Sequence, residues 1–308
     1  MTADLIARAR AGDRLDQLAI FDCHGHIGPS FIHHIPGNDA EAVVASMDRL
    51  GIAQLCVSAH ASIMGDHRGG NDLVAEAVRR FPGRILGYAC YNPRDGVEEG
   101  EREMARCFER LGFHAVKIHP QFQAYPADGP GFRPAWETAA RRGCPLLTHT
   151  LGGDPHCSPS RFGPLARAYP GVPILLGHAG NNLRGVDEAV AVAAEHDNVF
   201  LDLNYATVHH GMVERLWRRL GAGKLVFGSD VSWNSLAFSL GLILMAEIPD
   251  SDKERILRLN APRSSGYARR RPFRERGPGG QREHAAADRV VQPAGAVLAT
   301  PVLGDVVD

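Results

Sequence analysis

From residue 19 to about residue 260 the chain repeats one rhythm eight times: a short apolar run rich in branched side chains, then a segment of helical length. The apolar runs are Ala19–Cys23, Gln54–Ala59, Ile85–Tyr91, Ala115–Ile118, Pro145–Thr148, Pro173–Leu176, Asn198–Leu203 and Lys224–Gly228. Strands alternating with helices in this way are the mark of parallel βαβ units. The intervening helices have readable ends. Asn38 or Asp39 caps a segment running to Leu50, with Gly51 in the usual C-terminal stop position. Asn71–Phe81 and Val97–Leu111 follow, with Gly83 and Gly112 after them, then Pro134–Arg142, Ser160–Tyr169, Val186–His196, Gly211–Leu220 and Ser235–Glu247. Eight pairs predict an α/β fold closed as a (β/α)8 barrel, because an open doubly wound sheet usually has fewer strands.

Length and composition agree with a single barrel domain: 308 residues, 44% of them hydrophobic, suffice for one full core. The charge balance, 34 basic against 35 acidic residues, gives no field that would draw the molecule to nucleic acid or an anionic membrane. A small-molecule substrate is the expectation. Cys23, Cys56, Cys90, Cys107, Cys144 and Cys157 lie far apart and read as reduced core residues rather than a disulfide framework. Met1 to Gln17 lacks an apolar targeting core, and the longest apolar stretch, Leu236 to Ala246, is too short to span a bilayer. These features predict a cytoplasmic protein with an N-terminal helical extension over 1–18 and a barrel over 19–262. Residues 263–308, rich in Arg, Gly and Pro, are expected to be a disordered tail. Barrels of this kind often associate, but no residue marks a homo-oligomer.

In a parallel barrel the reactive side chains gather where strands end. The first strand ends Asp22-Cys23-His24-Gly25-His26, and residues two apart in an extended chain share a side, so His24 and His26 can reach one ion. The fifth strand ends at His149, the sixth at His178 and the eighth at Asp230. Imidazoles with one carboxylate suit zinc and its first-row neighbours, Mn2+ and Fe2+ among them, and a position left for water makes such a site catalytic. One divalent ion, zinc first, is the expected cofactor.

These residues carry a resemblance. Asp22-Cys23-His24-Gly25-His26, Val116-Lys117-Ile118-His119-Pro120, Thr148-His149, Gly177-His178-Ala179-Gly180 and Gly228-Ser229-Asp230 resemble the amidohydrolase-related (amidohydrolase type 2) family over about residues 19–262. The resemblance implies a metal-dependent hydrolase or non-oxidative decarboxylase, with the metal on His24, His26, His149 and Asp230. It also implies that His178 is the acid/base or water-orienting residue, sharing proton transfer with Asp230.

Other candidates lie around this set. Lys117 and His119 share a face at the end of strand four, where some binuclear relatives carry a carboxylated lysine. A second metal is less expected than a pocket-lining His119 and a Lys117 that binds an anionic group or pairs with a carboxylate. His60 after strand two and Asn204 after strand seven are candidates for substrate contact or for satisfied loop positions. His33-His34 and His209-His210 are not expected to ligate, since neighbouring side chains diverge. Gly69-Gly70-Asn71 and Gly152-Gly153-Asp154 read as loops that a lid could use. No glycine pattern fits a nucleotide-phosphate cradle.

One departure from the family concerns the closing segment. Asn260-Ala261 begins the expected ending, but Pro262 interrupts it, so a helix starting near Ser251 should stop by Asn260 and leave the barrel floor less well sealed. Functionally, the leading expectation is hydrolysis of a C–N or C–O bond in a small organic substrate. The alternatives are metal-dependent decarboxylation of an aromatic or unsaturated acid and, outside catalysis, a ligand-binding barrel.

Overall fold

The structure is a computed structural model that describes residues 4–204 and 209–260; the expected tail lies outside the described residues. Eight parallel strands pair in sequence order: β1 Ile20–Ile27, β2 Ile52–Ala59, β3 Ile85–Ala89, β4 Ala115–Ile118, β5 Leu146–His149, β6 Ile174–Gly177, β7 Val199–Leu203 and β8 Leu225–Phe227. The barrel closes between β1 and β8 through a bridge from Gly25 to Val231 and a bond from the Asp230 N–H to the His24 carbonyl, 2.7 Å. Buried Asp22 braces that seam, because its Oδ1 accepts from the N–H of both His24 and Ser229, each at 3.0 Å. Phe21, Cys23, Cys56, Tyr88, Ala115, Leu147, Leu175 and Val226 fill the inside of the barrel.

Helices cover the outside. They are α1 Leu5–Ala11, α2 Ala40–Leu50, α3 His60–Met64, α4 His67–Arg80, α5 Val97–Glu109, α6 Arg133–Arg142, α7 Phe162–Ala168, α8 Leu183–Glu195, α9 Met212–Leu220, α10 Leu236–Leu244 and α11 Asp250–Glu254. The expected caps are present: Asp39 Oδ1 accepts from Ala42 N, and Gly51 ends α2 at φ +74°, where a Cβ would lie 2.6 Å from the Leu15 nitrogen.

Two expectations need correction. Gly69-Gly70-Asn71 is not a loop; it lies in the first turns of α4, capped by Asp66. Gly70 lets α4 pack on α3, since a Cβ there would meet Ser62 N at 2.5 Å, and buried Asn71 donates to Glu103 at 2.7 Å. Gly152-Gly153-Asp154 is a loop, as expected, and in it Gly152 packs closely against the backbone of Gly185. The floor is also sealed. The helix does stop at Asn260, but Ile256 and Leu257 are buried beneath the barrel, and the Asn260 side chain donates to the carbonyls of Ala222 and Leu225 at 2.6 and 2.8 Å. All six cysteines are buried and free, as expected.

Candidate metal centre

His24 and His26 reach the inside of the barrel by a device that strand alternation alone does not give. β1 carries a register shift between Asp22 and Gly25, so its parity changes after Phe21 and Cys23 have pointed inward. The Nε2 atoms of His24 and His26 then lie 3.2 Å apart, and Asp230 Oδ1 is 3.5 Å from the first and 3.3 Å from the second. These three buried residues form the group whose ligand atoms all lie within 4.8 Å of one another among the described residues.

The far side of each ring shows which atoms face inward. Asp202, on β7, accepts from His24 Nδ1 at 2.6 Å and from the Asn204 amide at 2.9 Å. Nδ1 therefore carries the hydrogen and Nε2 the lone pair, the tautomer a metal requires. Ser58 Oγ holds His26 Nδ1 at 3.1 Å. The Nε2 lone pair of His24, the Nε2 of His26 and a carboxylate oxygen thus converge on one point, an arrangement that positive charge stabilises. The nearest such charge is the Lys117 ammonium, 2.9 Å from His24 Nε2. The donor set, two imidazole nitrogens and a carboxylate, fits a divalent first-row cation.

His149 is buried at the end of β5 but is not one of that tight group; its ring stacks on His119 at 4.2 Å and meets His178 at 4.7 Å. Both of its nitrogens are buried without a hydrogen-bond partner among the described residues, so the residue has donor atoms to spare beside the centre. His119 is held by the Phe122 N–H, which donates to its Nδ1 at 3.2 Å, while the Phe122 ring stacks on it at 4.1 Å. His178 Nδ1 donates to Asn204 Oδ1 at 2.6 Å, which leaves the lone pair of the neutral ring on Nε2. His60 lies 5.2 Å from His26 in a stacked arrangement. The expected site residues therefore gather at one end of the barrel. His33 meets Trp233 near the surface, and His209 and His210 line a groove beside α9 and α10; none belongs to the tight group.

Burial governs the electrostatics. It lowers the pKa of His24, His26 and His149 well below the ordinary imidazole value, with Lys117 adding to the effect at the first two and His119 at the third. Neutral imidazoles are what ligation needs. Burial also brings Lys117 down to about 8, against the pull of Asp230 and Asp202, and raises Asp230, against the pull of His178. Two of these residues sit on strained backbone: His178 has φ +64° and Asp230 φ +60°, each costing about 1–3 kcal/mol, a kind of strain that clusters at functional sites.

Asp202 and Ser58 were not singled out from the sequence. A carboxylate within the apolar run Phe200-Leu201-Asp202-Leu203 was the available signal for Asp202, since buried charge needs a partner. Small residues matter as well. A Cβ on Gly228 would lie 2.0 Å from Asp202 Oδ1 and 2.8 Å from His24 Cβ.

Comparison with known proteins agrees with the fold. The family model described as Amidohydrolase matches residues 21–263. Among solved structures, a 2,6-dihydroxybenzoate decarboxylase from Rhizobium superposes with a TM-score of 0.64 at 17% identity, over 79% of this chain and 97% of that one. A 5-carboxyvanillate decarboxylase from Sphingomonas paucimobilis gives 0.60 at 17%, over 79% and 98%. A dihydroxybenzoic acid decarboxylase from Polaromonas, with bound manganese and the inhibitor 2-nitroresorcinol, gives 0.61 at 18%, over 79% and 95%. No curated protein sequence matches the chain. No helix among the described residues is long and apolar enough to cross a membrane.

Proposed function

The chain belongs to the amidohydrolase family, and from that premise we propose that it is a divalent-metal-dependent decarboxylase of aromatic carboxylic acids. The observation that carries the metal dependence is the convergence of His24, His26 and Asp230 within 4.8 Å, with the lone pair of His24 set by Asp202. The choice of decarboxylation over hydrolysis, the leading expectation from sequence, rests on the solved neighbours, several of which are named for decarboxylating hydroxylated aromatic acids.

His24, His26 and Asp230 would hold the ion, and His149 would offer a fourth ligand through a ring nitrogen that has no partner among the described residues. Zinc and manganese both suit the donor set, and manganese is the metal named in the neighbours. A bound divalent cation supplies charge that neutralises the substrate carboxylate and withdraws electrons from its oxygens. Lys117, whose Nζ lies 2.9 Å from His24 Nε2, adds a second cationic group for the same anion. Before the substrate enters, His178 takes a proton from solvent at Nε2, and the negative charge of Asp230 favours the protonated ring. In the reaction the bond from ring to carboxylate breaks and CO2 leaves. The electron pair left on the ring carbon takes the proton held by His178, forming a C–H bond. The buried walls keep water from competing for it.

Incubation of the manganese-loaded protein with hydroxybenzoic acids in deuterated water tests this. Decarboxylation puts deuterium at the vacated ring position and releases CO2. Retention of all carboxylate across such acids, together with incorporation of labelled solvent oxygen from amide or lactone substrates, would instead establish a hydrolase.

A further inference from the structure

We infer that His60 is a specificity-determining residue whose Nε2 accepts a hydrogen bond from a hydroxyl on the substrate ring. The inference rests on the decarboxylase reading and assigns a role to a histidine outside the metal group. His60 is fully buried where β2 gives way to α3. Its Nδ1 lies 2.7 Å from the carbonyl oxygen of Gly28. A carbonyl can only accept, so Nδ1 carries the hydrogen and Nε2 of the neutral ring carries an in-plane lone pair. That Nε2 is buried with no hydrogen-bond partner among the described residues. An unmet buried acceptor costs about 1–3 kcal/mol, which a fold keeps where a ligand meets it.

The surroundings say which ligand. The His60 ring stacks on His26 at 5.2 Å and 25° and meets Trp233 edge-on at 4.9 Å and 84°. Trp233 in turn meets His33 at 5.4 Å and lines a cleft of about 490 Å³ beside the β1 and β8 loops. His60 thus lies between the metal-binding pair and the cleft. Its ring nitrogens do not join the group that converges on the ion. The Gly28 carbonyl fixes the tautomer and the two aromatic neighbours fix the ring. The site therefore offers an acceptor of set direction, which a hydroxyl satisfies and a hydrogen or an ether oxygen leaves bare.

Two non-reactive probes test this on the full-length manganese-loaded protein: 2-nitroresorcinol and 2-nitrophenol, which differ by one hydroxyl, titrated by calorimetry. The wild type should prefer 2-nitroresorcinol by at least about tenfold. His60→Phe, which keeps a ring and removes both nitrogens, should abolish the preference with manganese content unchanged. His60→Gln, which retains an acceptor, should recover part of it. Equal affinity of the wild type for the two probes would overturn the inference, as would an undiminished preference in folded His60→Phe. Loss of manganese from both variants would make His60 a ligand and overturn it too. Failure of the wild type to bind either probe would overturn the aromatic-acid reading along with it, which keeps the two failures distinct.

Discussion

The two sides of the barrel mouth are built differently. On the β1, β7 and β8 side the ligating histidines and the seam are held from behind: Asp202 grips His24, Ser58 reaches over from β2 to grip His26, and Asp22 ties β1 to β8, while Asp22 Oδ2 and Asp202 Oδ1 have no partner among the described residues. On the β2, β4 and β5 side, rings stack in series, Phe122 on His119 on His149, and both nitrogens of His149 and the Nε2 of His60 are unbonded. The contrast separates two tasks. A cation demands ligands fixed in tautomer and direction before it arrives, because reorganising charged groups in a buried site is costly. A substrate demands acceptors and flat apolar walls left open for it. The first side is preorganised by hydrogen bonds and the second by packing.

If that division is right, the largest losses follow from cutting into the braced side. His24→Ala and Asp230→Asn should each abolish stable metal binding by elemental analysis after dialysis, and Asp230→Asn should also lower turnover by more than about 10³-fold, since it removes a ligand and the charge that favours protonated His178 together. A fully loaded Asp230→Asn protein would break the assignment of that residue to the ion. Asp202→Asn touches no metal, yet it weakens the acceptor that sets His24's tautomer. A 10–100-fold drop in metal affinity is expected there, of the order seen when outer partners of ligating histidines are removed. Gly228→Ala should give a similar drop without changing any polar group, because its new Cβ would displace the Asp202 carboxylate from 2.0 Å away. Unchanged affinity in Gly228→Ala would show that the brace tolerates movement and that the contrast between the two sides is weaker than drawn.

His149 sharpens the comparison because it belongs to the stacked side by its packing and to the ion by its unbonded nitrogens. His149→Ala should lower metal affinity by less than His24→Ala does, as no hydrogen bond orients its ring beforehand. Competition with a chelator of known affinity measures the order. A loss equal to that of His24→Ala would move His149 to the braced side.

Much of this was legible in the sequence, and what escaped did so for physical reasons. Strand ends are local signals, so His24, His26, His149, His178 and Asp230 were all found where apolar runs stop. The register shift in β1 was not visible, because two-residue alternation puts His24 and His26 on one side together but opposite to Phe21 and Cys23. Asp202 was hidden inside a strand whose pattern otherwise explained itself. The glycines of α4 misled in the other direction: Gly69 and Gly70 are poor helix formers, and only the close approach of α3 accounts for Gly70. Trp233 gave no sign of its place, since its contacts to His60 and His33 join three loops far apart in the chain.

The smallest expected effect lies at the outer end of the stack. Phe122 is 40% exposed, and its ring lies parallel to His119 at 3°. The bond that orients His119 comes from the Phe122 backbone N–H, so Phe122→Ala removes the ring and keeps the orientation. An aromatic contact of this kind is worth about 0.5–1.5 kcal/mol, equivalent to roughly a two- to tenfold change in binding. Steady-state kinetics on a turned-over aromatic acid should therefore show KM rising by that factor, with kcat and metal content unchanged. A fall in metal content would mean that the stack transmits its order through His119 and His149 to the ion, and the two sides of the mouth would then work as one.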